Sequence, residues 1–231
     1  MPLKKHTDKS YDAELDELRS KLLTLGGKVE TEIALSMRSL AERDPKLADQ
    51  VLTADREVNR LELEVDEVCR RLLALRQPAA SDLRLITTAL KIVVDLERIG
   101  DLAVNIAERA IELSQSPALP PVHDLTRLAQ LCQSQLRAAL DAFVDGDAAK
   151  AEAVIKDDDL LDALYHKLFS ELLGLMMEDP RNIRRANSLM FVAKHLERLG
   201  DHATNVAEMV IYMVKGTDIR HPNSREQPDG K

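Results

Sequence analysis

The chain has 231 residues, a formal net charge of −8 and only 3% aromatic residues. This length can bury one large core or two small ones, and the scarcity of aromatic residues, glycine and proline favours a helical bundle over a β-sheet. The negative charge argues against a nucleic-acid partner, because phosphate binding requires an excess of Lys and Arg on one face.

The sequence has no apolar run near the ~20 residues that a membrane span requires. Residues 1–8 are polar and lack the apolar centre of a signal peptide. Cys69 and Cys132 lie far apart among apolar neighbours, so we expect both to be reduced residues of the core. These features together predict a soluble, cytoplasmic protein.

Helical periodicity divides the first half of the chain into three segments. A first helix is predicted over about residues 11–42, with a kink at Gly26-Gly27. Asp44-Pro45 is typical of an N-cap followed by a first helical residue, and the second helix then runs to about Gln77. A third helix is predicted over about 81–113. The heptad positions of the second helix are Val51, Ala54, Val58, Leu61, Val65, Val68, Leu72 and Leu75.

The second half repeats this plan after a linker at 116–121, which contains three prolines. Apolar residues at helical spacing predict a fourth helix over about 125–143 and a fifth that includes 154–175. Asp179-Pro180 predicts the start of a sixth helix, which ends near Lys215.

The predicted fold is therefore all-α, with six long helices in two tandem, sequence-related three-helix bundles. Short connections make sequential helices antiparallel neighbours, and three amphipathic helices form the smallest closed core. We assign the first bundle to residues 9–116 and the second to 122–215. Residues 216–231 are polar and are predicted to be a disordered tail.

One stretch of the third helix returns in the sixth. Residues 96–108 (LERIGDLAVNIAE) match residues 196–208 (LERLGDHATNVAE) at an offset of 100, with nine of thirteen positions identical. Ordinary helical similarity keeps apolar positions apolar, but it gives no reason to keep two carboxylates, an arginine, a glycine and an asparagine in register. The repeat therefore predicts a duplicated polar site.

The apolar spacing of the third helix, continued from Leu83 through Leu90, places Glu97 at an inward position. The sixth helix repeats this at Glu197, and Asp101 and Asp201 follow one turn later on the same face. A carboxylate on an inner stripe is costly unless it is paired or ligates a cation. The glycine at position 100 or 200 lowers helix propensity and would be tolerated where another backbone must approach the helix closely.

Helices two and five add polar residues beside their apolar positions. These are Asp55, Asn59, Glu62 and Asp66 on the second helix, and Asp158, Asp162 and His166 on the fifth. Oxygen-rich clusters suit Mg, Mn or Fe, and a histidine permits Zn or Fe. The candidate metal ligands are Glu97, Asp101, Glu197 and Asp201, with Glu62, Asp66, Asn105, Asp158, Asp162 and Asn205 as further candidates.

A purely structural interpretation stays open beside metal ligation. Glu97 and Glu197 could instead form interhelical ion pairs with arginines on neighbouring helices. The arginines considered are Arg84, Arg98, Arg184 and Arg198. We expect His195 and His202 to be surface or capping residues. The sequence has no Gly-rich phosphate loop, no Glu-x-x-His pair and no spacing typical of a nucleophilic triad, so we expect no enzyme.

Two segments resemble the signatures of the PhoU family of phosphate-signalling proteins. The first comprises residues 77–84, Lys91, 95–101 and 105–107, and the second comprises 194–202 and 205–208. The second signature differs from the first where His195 replaces Asp95. The resemblance covers nearly the whole chain. It implies two tandem three-helix bundles, a homodimer and a cytoplasmic, non-enzymatic accessory role in phosphate uptake and homeostasis.

The resemblance also implies that the protein couples the ATPase subunit of the phosphate ABC transporter to a PhoR-type sensor histidine kinase. It would thereby keep phosphate-starvation genes off and would reach the membrane only through these partners. Family members carry multinuclear iron or zinc clusters on a Glu/Asp-x-x-x-Asp motif, which Glu97–Asp101 and Glu197–Asp201 match. The acids of helices two and five do not match residue for residue, so we expect unequal metal occupancy.

Two other function classes remain as alternatives. One is a carboxylate-rich helical bundle that binds or stores a metal such as iron, zinc, manganese or magnesium. The other is a structural oligomerisation bundle in which the repeated motifs serve only as ion-pair networks.

Overall fold

The computed structural model describes residues 9–120 and 122–219, and in these ranges it contains six α-helices and no β-strand. This confirms the predicted all-α fold. The helices are α1 (Lys9–Glu42), α2 (Pro45–Arg76), α3 (Ala80–Ser114), α4 (His123–Asp145), α5 (Ala148–Glu178) and α6 (Ile183–Lys215). None of the described helices is both long enough and apolar enough to cross a membrane.

Local capping residues set the ends of several helices. The Asp44 carboxylate accepts a hydrogen bond from the backbone N–H of Lys46 at 2.9 Å, and Pro45 is the first residue of α2. Gly216 ends α6 with a φ of 70°, in the left-handed region that glycine enters without strain. Helical structure begins at Asp179-Pro180 as predicted, with Asp179 as the N-cap, but its first turn, Pro180–Asn182, is a 3-10 turn that leads directly into α6 at Ile183.

The six helices form two three-helix bundles that lie side by side. α1 packs on α2 and α3, while α4 packs on α5 and α6. α3 and α6 run antiparallel and pack on each other as extensively as each packs on its own bundle, and α1 touches α4 more lightly. Buried apolar residues of both bundles form one continuous core. The exact domain boundaries stay a prediction.

Arg43 holds the linker between the bundles against the end of α3. Its guanidinium donates hydrogen bonds to the backbone carbonyls of Leu113 at 2.7 Å, Ser114 at 3.2 Å and Ser116. Arg43 itself has a φ of 55°, in the left-handed region, at the turn between α1 and α2. The Arg43 side chain thus fixes the start of the linker to the first bundle through hydrogen bonds to backbone carbonyls at the end of α3.

Other predictions meet mixed outcomes. Cys69 and Cys132 are free and buried, as expected, and burial raises the pKa of Cys69 to about 12.

α1 is continuous through Gly26-Gly27, where Gly26 leaves room for the Leu140 side chain of α4. In the predicted tail, 216–219 are non-helical and Ile219 packs on the core. The rest of that tail, 220–231, lies outside the described residues.

The faces of α3 and α6 that are buried differ from the faces that the sequence predicted to be buried, by a rotation about the helix axis. Leu83 is 43% exposed, and Leu90 is only partly buried. The residues of α3 that are buried along its middle are Leu85, Ile86, Thr88, Ala89, Ile92, Val93, Leu96, Ile99, Gly100, Leu102, Ala103, Ile106 and Ala107. The prediction that Glu97 points into the core is wrong: its side chain is 24% exposed, at the edge of the buried face. Glu197 lies at the equivalent edge of α6 and is 14% exposed.

The predicted heptad of α2 contains a matched pair for testing this core. Leu72 is fully buried, whereas Leu75, three residues later, is 71% exposed although the heptad placed it inside. We expect Leu72→Ala to lower the free energy of unfolding by about 2–5 kcal/mol, because it leaves a cavity. Leu75→Ala should change it by less than about 0.5 kcal/mol. Chemical denaturation followed by circular dichroism measures both. Equal losses in the two variants would contradict the observed helix orientation.

Candidate functional site

The repeated glycine lies where a polar side chain of the first helix of each bundle approaches the third. A Cβ atom added to Gly100 would lie 3.4 Å from Glu32 Oε2 and 3.2 Å from Val58 Cγ1. A Cβ atom added to Gly200 would lie 3.3 Å from Gln135 Oε1 and 2.5 Å from a methyl group of Leu161. The atoms that approach this glycine closely belong to side chains of the other two helices of the bundle and not to another backbone, as the sequence had suggested.

The first motif site consists of Glu32, Asp55, Glu97 and Asp101. Glu32 on α1 is 1% exposed, and neither of its carboxylate oxygens has a hydrogen-bond partner among the described residues. Burial, and then the charge of Asp55, raises the pKa of Glu32 to about 8. The pKa of Asp55 is raised by burial and by Asp101, and that of Glu97 by burial and by Asp101. The four carboxyl groups therefore share one electrostatic environment.

The polar partners of Asp55 leave part of its carboxylate unsatisfied. Asn59, one turn later on α2, donates to Asp55 Oδ2 at 2.9 Å, while Asp55 Oδ1 is buried without a partner among the described residues. Buried acceptors in folded proteins are nearly always satisfied. The unpaired oxygens of Asp55 and Glu32 therefore face the same small region beside Gly100. Both oxygens are available to a proton or a cation that enters this region.

The second motif site consists of Gln135, Asp158, Glu197 and Asp201. Gln135 is 3% exposed, and neither its oxygen nor its nitrogen has a hydrogen-bond partner among the described residues. Asp158 on α5 is partly buried, and burial, followed by the charge of Asp162, raises its pKa. The second site therefore has an uncharged amide at the place where the first has a buried carboxyl group.

The two sites match residue for residue once the correct offset is used. Glu32 and Gln135 differ by 103 positions, and so do Asp55 and Asp158, whereas Glu97 and Glu197 differ by 100. The stretch from Asp158 to Glu197 is three residues shorter than the stretch from Asp55 to Glu97, which accounts for the change. The expectation that the acids of the second and fifth helices do not match is wrong for Asp55 and Asp158.

Basic residues of the same helices pair with the motif carboxylates. Arg98 lies 3.5 Å from Glu97 and 3.1 Å from Asp101, and Lys194 lies 2.6 Å from Glu197. These ion pairs are intrahelical, so the interhelical pairs considered from sequence are wrong for these described side chains. They are also partly exposed, and pairs of this kind contribute at most about 1 kcal/mol each.

The seam between α3 and α6 has its own polar contact. Asp95 Oδ1 lies 2.8 Å from His202 Nδ1 and accepts a hydrogen bond from Asn205 Nδ2 at 3.2 Å. The prediction of His202 as a surface or capping residue is therefore wrong: it is 19% exposed and joins the two bundles. Asn205 belongs to this seam rather than to the second motif site. His195 is partly buried, and burial lowers its pKa.

The remaining candidate ligands lie around the sites in different settings. The charge of Glu62 contributes to the raised pKa of Glu97, so it borders the first site. Asp66, one turn further along α2, pairs with Arg70 at 3.0 Å. Asn105 is partly buried on α3, and Asp162 is exposed beside Asp158. In 9–120 and 122–219, no three His, Cys, Asp or Glu side chains are arranged to hold a metal ion. The metal assignment stays a prediction.

Comparison with known proteins adds to this geometry. A family model described as "PhoU domain" matches residues 22–110 and again 125–210. The "Phosphate-specific transport system accessory protein PhoU homolog" of Pseudomonas putida is 46% identical over 94% of this chain and 85% of its own length. The Escherichia coli (strain K12) protein named "Phosphate-specific transport system accessory protein PhoU" is 36% identical over 97% of this chain and 93% of its own.

A solved structure agrees with these relatives. The structure titled "Crystal structure of PhoU from Pseudomonas aeruginosa" matches with a TM-score of 0.86 at 44% sequence identity. The match covers 90% of this chain and all of the other one. The two family-model matches begin 103 residues apart and end 100 apart, as the two motif sites do.

The buried carboxyl group of Glu32 predicts a pH dependence of stability. Its pKa is about 8 in the folded chain and about 4.3 in an unfolded one, so the folded state holds a proton that the unfolded state releases. The free energy of unfolding therefore falls as the pH rises between these values. We expect the variant Glu32→Gln not to show the fall in the free energy of unfolding that ionisation of Glu32 causes. The free energy of unfolding of this variant, relative to that of the parent chain, should therefore increase by up to about 4 kcal/mol from pH 5 to pH 8.

The second bundle supplies the control for this experiment. Gln135→Glu places a carboxyl group at the equivalent buried position and should introduce a similar fall of stability with pH. Urea denaturation with a chelator present, at a series of pH values, measures both variants. If Glu32→Gln and the parent chain change in parallel over this range, Glu32 is ionised in the folded protein and the interpretation is wrong.

Proposed function

The chain belongs to the PhoU family, and from this premise we propose that it is a non-enzymatic regulator of phosphate uptake and homeostasis. The observation that carries the proposal is that both repeats match the family model and that similarity to PhoU accessory proteins spans nearly the whole chain. Relatives from Pseudomonas putida and Escherichia coli are named as accessory proteins of the phosphate-specific transport system. Names of this kind support a regulator of a transporter rather than a catalyst.

We further propose that the protein acts in the cytoplasm between two partners. These are the ATPase subunit of the phosphate ABC transporter and a PhoR-type sensor histidine kinase, and through them it would keep phosphate-starvation genes off. Its long helical faces carry exposed carboxylates, and the chain has a net charge of −8. Such surfaces favour partners with basic patches, since complementary charge speeds association and excludes wrong partners. In this proposal the protein reaches the membrane only through those partners.

We also propose that the first motif site binds a divalent cation such as iron, zinc, manganese or magnesium. Its chemistry fits such an ion, since Glu32 and Asp55 offer buried carboxylate oxygens that lack partners, with Asp101 as their electrostatic neighbour. A bound cation would supply positive charge that stabilises these carboxylates in their ionised form. The second site has Gln135 instead of a carboxyl group, so we expect weaker binding there.

This cation site is consistent with the regulatory proposal and also with the alternative of a metal-storage bundle. Storage requires a site for many ions or for their oxidation. The described residues offer one small set of carboxylates per bundle, and the sequence lacks a Glu-x-x-His pair. This limited donor set fits a regulator in which one bound cation stabilises one conformation better than it fits a storage protein.

The regulatory proposal predicts the phenotype of a deletion. Removing the gene from the organism that encodes it should switch on phosphate-starvation genes in medium with excess phosphate. Alkaline phosphatase activity or a reporter fused to such a gene measures this, with a plasmid copy of the intact gene as the control. Unchanged reporter activity in the deletion strain would contradict the proposal.

The cation proposal predicts a difference between the two halves. Metal analysis of untagged protein should find a divalent metal that Glu32→Gln/Asp55→Asn removes. The matched change Asp158→Asn in the second site should remove little of it. We expect at least about tenfold weaker binding in the first variant, since a lost ligand typically costs that much or more. Equal metal content in all three proteins, or none in the intact chain, would contradict this assignment.

A further inference from the structure

A cavity of about 330 Å³ lies where the two bundles meet, beside the linker that joins them. Its walls come from the ends of α1 and α3, from the starts of α4 and α6, and from linker residues 117–120. Pockets of about 300–1,000 Å³ at the boundary between domains commonly hold small organic molecules. Most of the lining side chains are apolar, and the large ones include Met37, Leu40, Leu113, Leu119, Leu125 and Leu189.

Two arginines, one from each bundle, bring positive charge to this apolar cavity. Arg43, at the end of α1, and Arg185, on α6, both line it and are half-buried. The guanidinium of Arg43 donates to the carbonyl of Ser116, and that of Arg185 donates to the carbonyl of Pro117 at 2.8 Å. Because these carbonyls are neighbours in the chain, the two guanidinium groups lie near each other.

The charge of these two groups is not neutralised. A backbone carbonyl satisfies an N–H donor but carries no net charge, and within 9–120 and 122–219 neither Arg43 nor Arg185 forms an ion pair with a carboxylate. All three hydrogen bonds of Arg43 come from Nη2, so its Nε and Nη1 groups donate to no described residue. These donors remain available to an anion.

Neither arginine is shared with the other copy of the duplicated plan. The residue equivalent to Arg43, 103 places later, is Gly146. The residue equivalent to Arg185, 100 places earlier, is Leu85. The pair of cations is therefore specific to the junction between the two bundles, and the packing of a three-helix bundle does not require it.

The backbone of Arg43 indicates that its side chain is needed at this place. Arg43 has a φ of 55° and Gly146 has a φ of 60°, each in the turn before the next helix. Glycine enters this left-handed region without strain, whereas a residue with a Cβ atom enters it at a cost. Strained residues of this kind cluster at ligand clamps and other functional sites. The chain thus keeps an arginine where glycine would fit the backbone better.

We propose that this cavity binds an amphipathic organic anion, with its carboxylate head group on Arg43 and Arg185 and its apolar body against the leucines of both bundles. A guanidinium group pairs with a carboxylate through parallel, charge-assisted hydrogen bonds, and it is less strongly hydrated than an ammonium group. A fatty acid of medium chain length has this combination of head group and body. Binding in this cavity does not depend on the proposed function.

The local charges favour an anion although the chain has a net charge of −8. Repulsion from carboxylates further away than about 8 Å is screened at physiological ionic strength. An uncharged apolar ligand would cover the two guanidinium groups without compensating them, which is costly. Inorganic phosphate would compensate them but would leave the apolar walls in contact with water. A ligand with both parts satisfies both requirements.

Calorimetric titration of the purified chain with decanoate tests this proposal, with a chelator present so that no metal ion mediates binding. We expect decanoate to bind at least about tenfold more tightly than decanol, which has the same apolar body without the charge, because hydrogen bonds to charged groups are the stronger ones. Inorganic phosphate, which has charge but no apolar body, should not displace decanoate.

A double variant tests the two arginines. Arg43→Gly/Arg185→Leu introduces the residues that the equivalent positions carry, so it is compatible with the backbone. It should bind decanoate and decanol with equal affinity, because the charge is gone and the apolar walls remain. A loss of linker contacts alone would weaken both ligands together. The control Arg184→Leu removes a neighbouring arginine that is 83% exposed and does not line the cavity, and it should bind both ligands like the parent chain.

A third variant tests the location. Ala41 is exposed and lines the cavity, so the indole of Ala41→Trp fills the cavity and leaves both arginines in place. Decanoate and decanol should each bind at least about tenfold more weakly to this variant. Circular dichroism verifies that every variant remains folded.

A parent chain that does not bind decanoate, or that binds decanol as tightly, overturns the proposal. Unchanged binding by Ala41→Trp overturns the location. Equal weakening of both ligands in the arginine variant makes the arginines purely structural and overturns their role as the anion site. Displacement of decanoate by inorganic phosphate overturns the requirement for an apolar body. Unchanged starvation-gene expression in a deletion strain bears on the proposed function alone, because the titration uses the purified chain.

Discussion

The structure depends on the packing of α3 and α6, each of which is covered on three sides. α3 packs on α1, α2 and α6, and α6 packs on α4, α5 and α3. A helix in this position has little free surface, so the polar residues of the repeated motif must lie at the edge of the buried face or in a contact with another helix. Glu97 and Glu197 occupy such edges, and the Asp95–His202 contact occupies the seam.

The same crowding explains the repeated glycine. An alanine at position 100 or 200 would place its Cβ within 3.5 Å of a buried polar side chain that comes from α1 or α4. That side chain is a carboxyl group in one bundle and an amide in the other. A buried carboxyl group without a partner is stable only when it is protonated or binds a cation. The geometry is therefore shared between the bundles, whereas the buried ionisable group beside this glycine belongs to the first.

The sequence predicts the helices well and their orientation poorly, for physical reasons. Helix ends depend on local signals, such as Asp44-Pro45 at the start of α2. Orientation depends on which face is buried, and steps of seven residues from Leu83 drift by about 20° per heptad on a straight helix. A helix covered on three sides also has no single apolar stripe to follow. Glu32 was missed, although its position three residues after Val29 places it on the buried face of α1.

Duplication permits the two bundles to diverge in function while the backbone stays the same. A helix that already folds with a polar outer face can acquire phenylalanine and leucine there at little cost to its own bundle, because exposed positions contribute little to the core. The gain arises between molecules, where apolar area is removed from water. α2 and α5 illustrate this: Asp66 and Phe169 are equivalent positions on copies of one helix, and the second is an exposed aromatic side chain where the first is charged. Two such bundles can therefore keep one fold while their outer faces come to favour different partners.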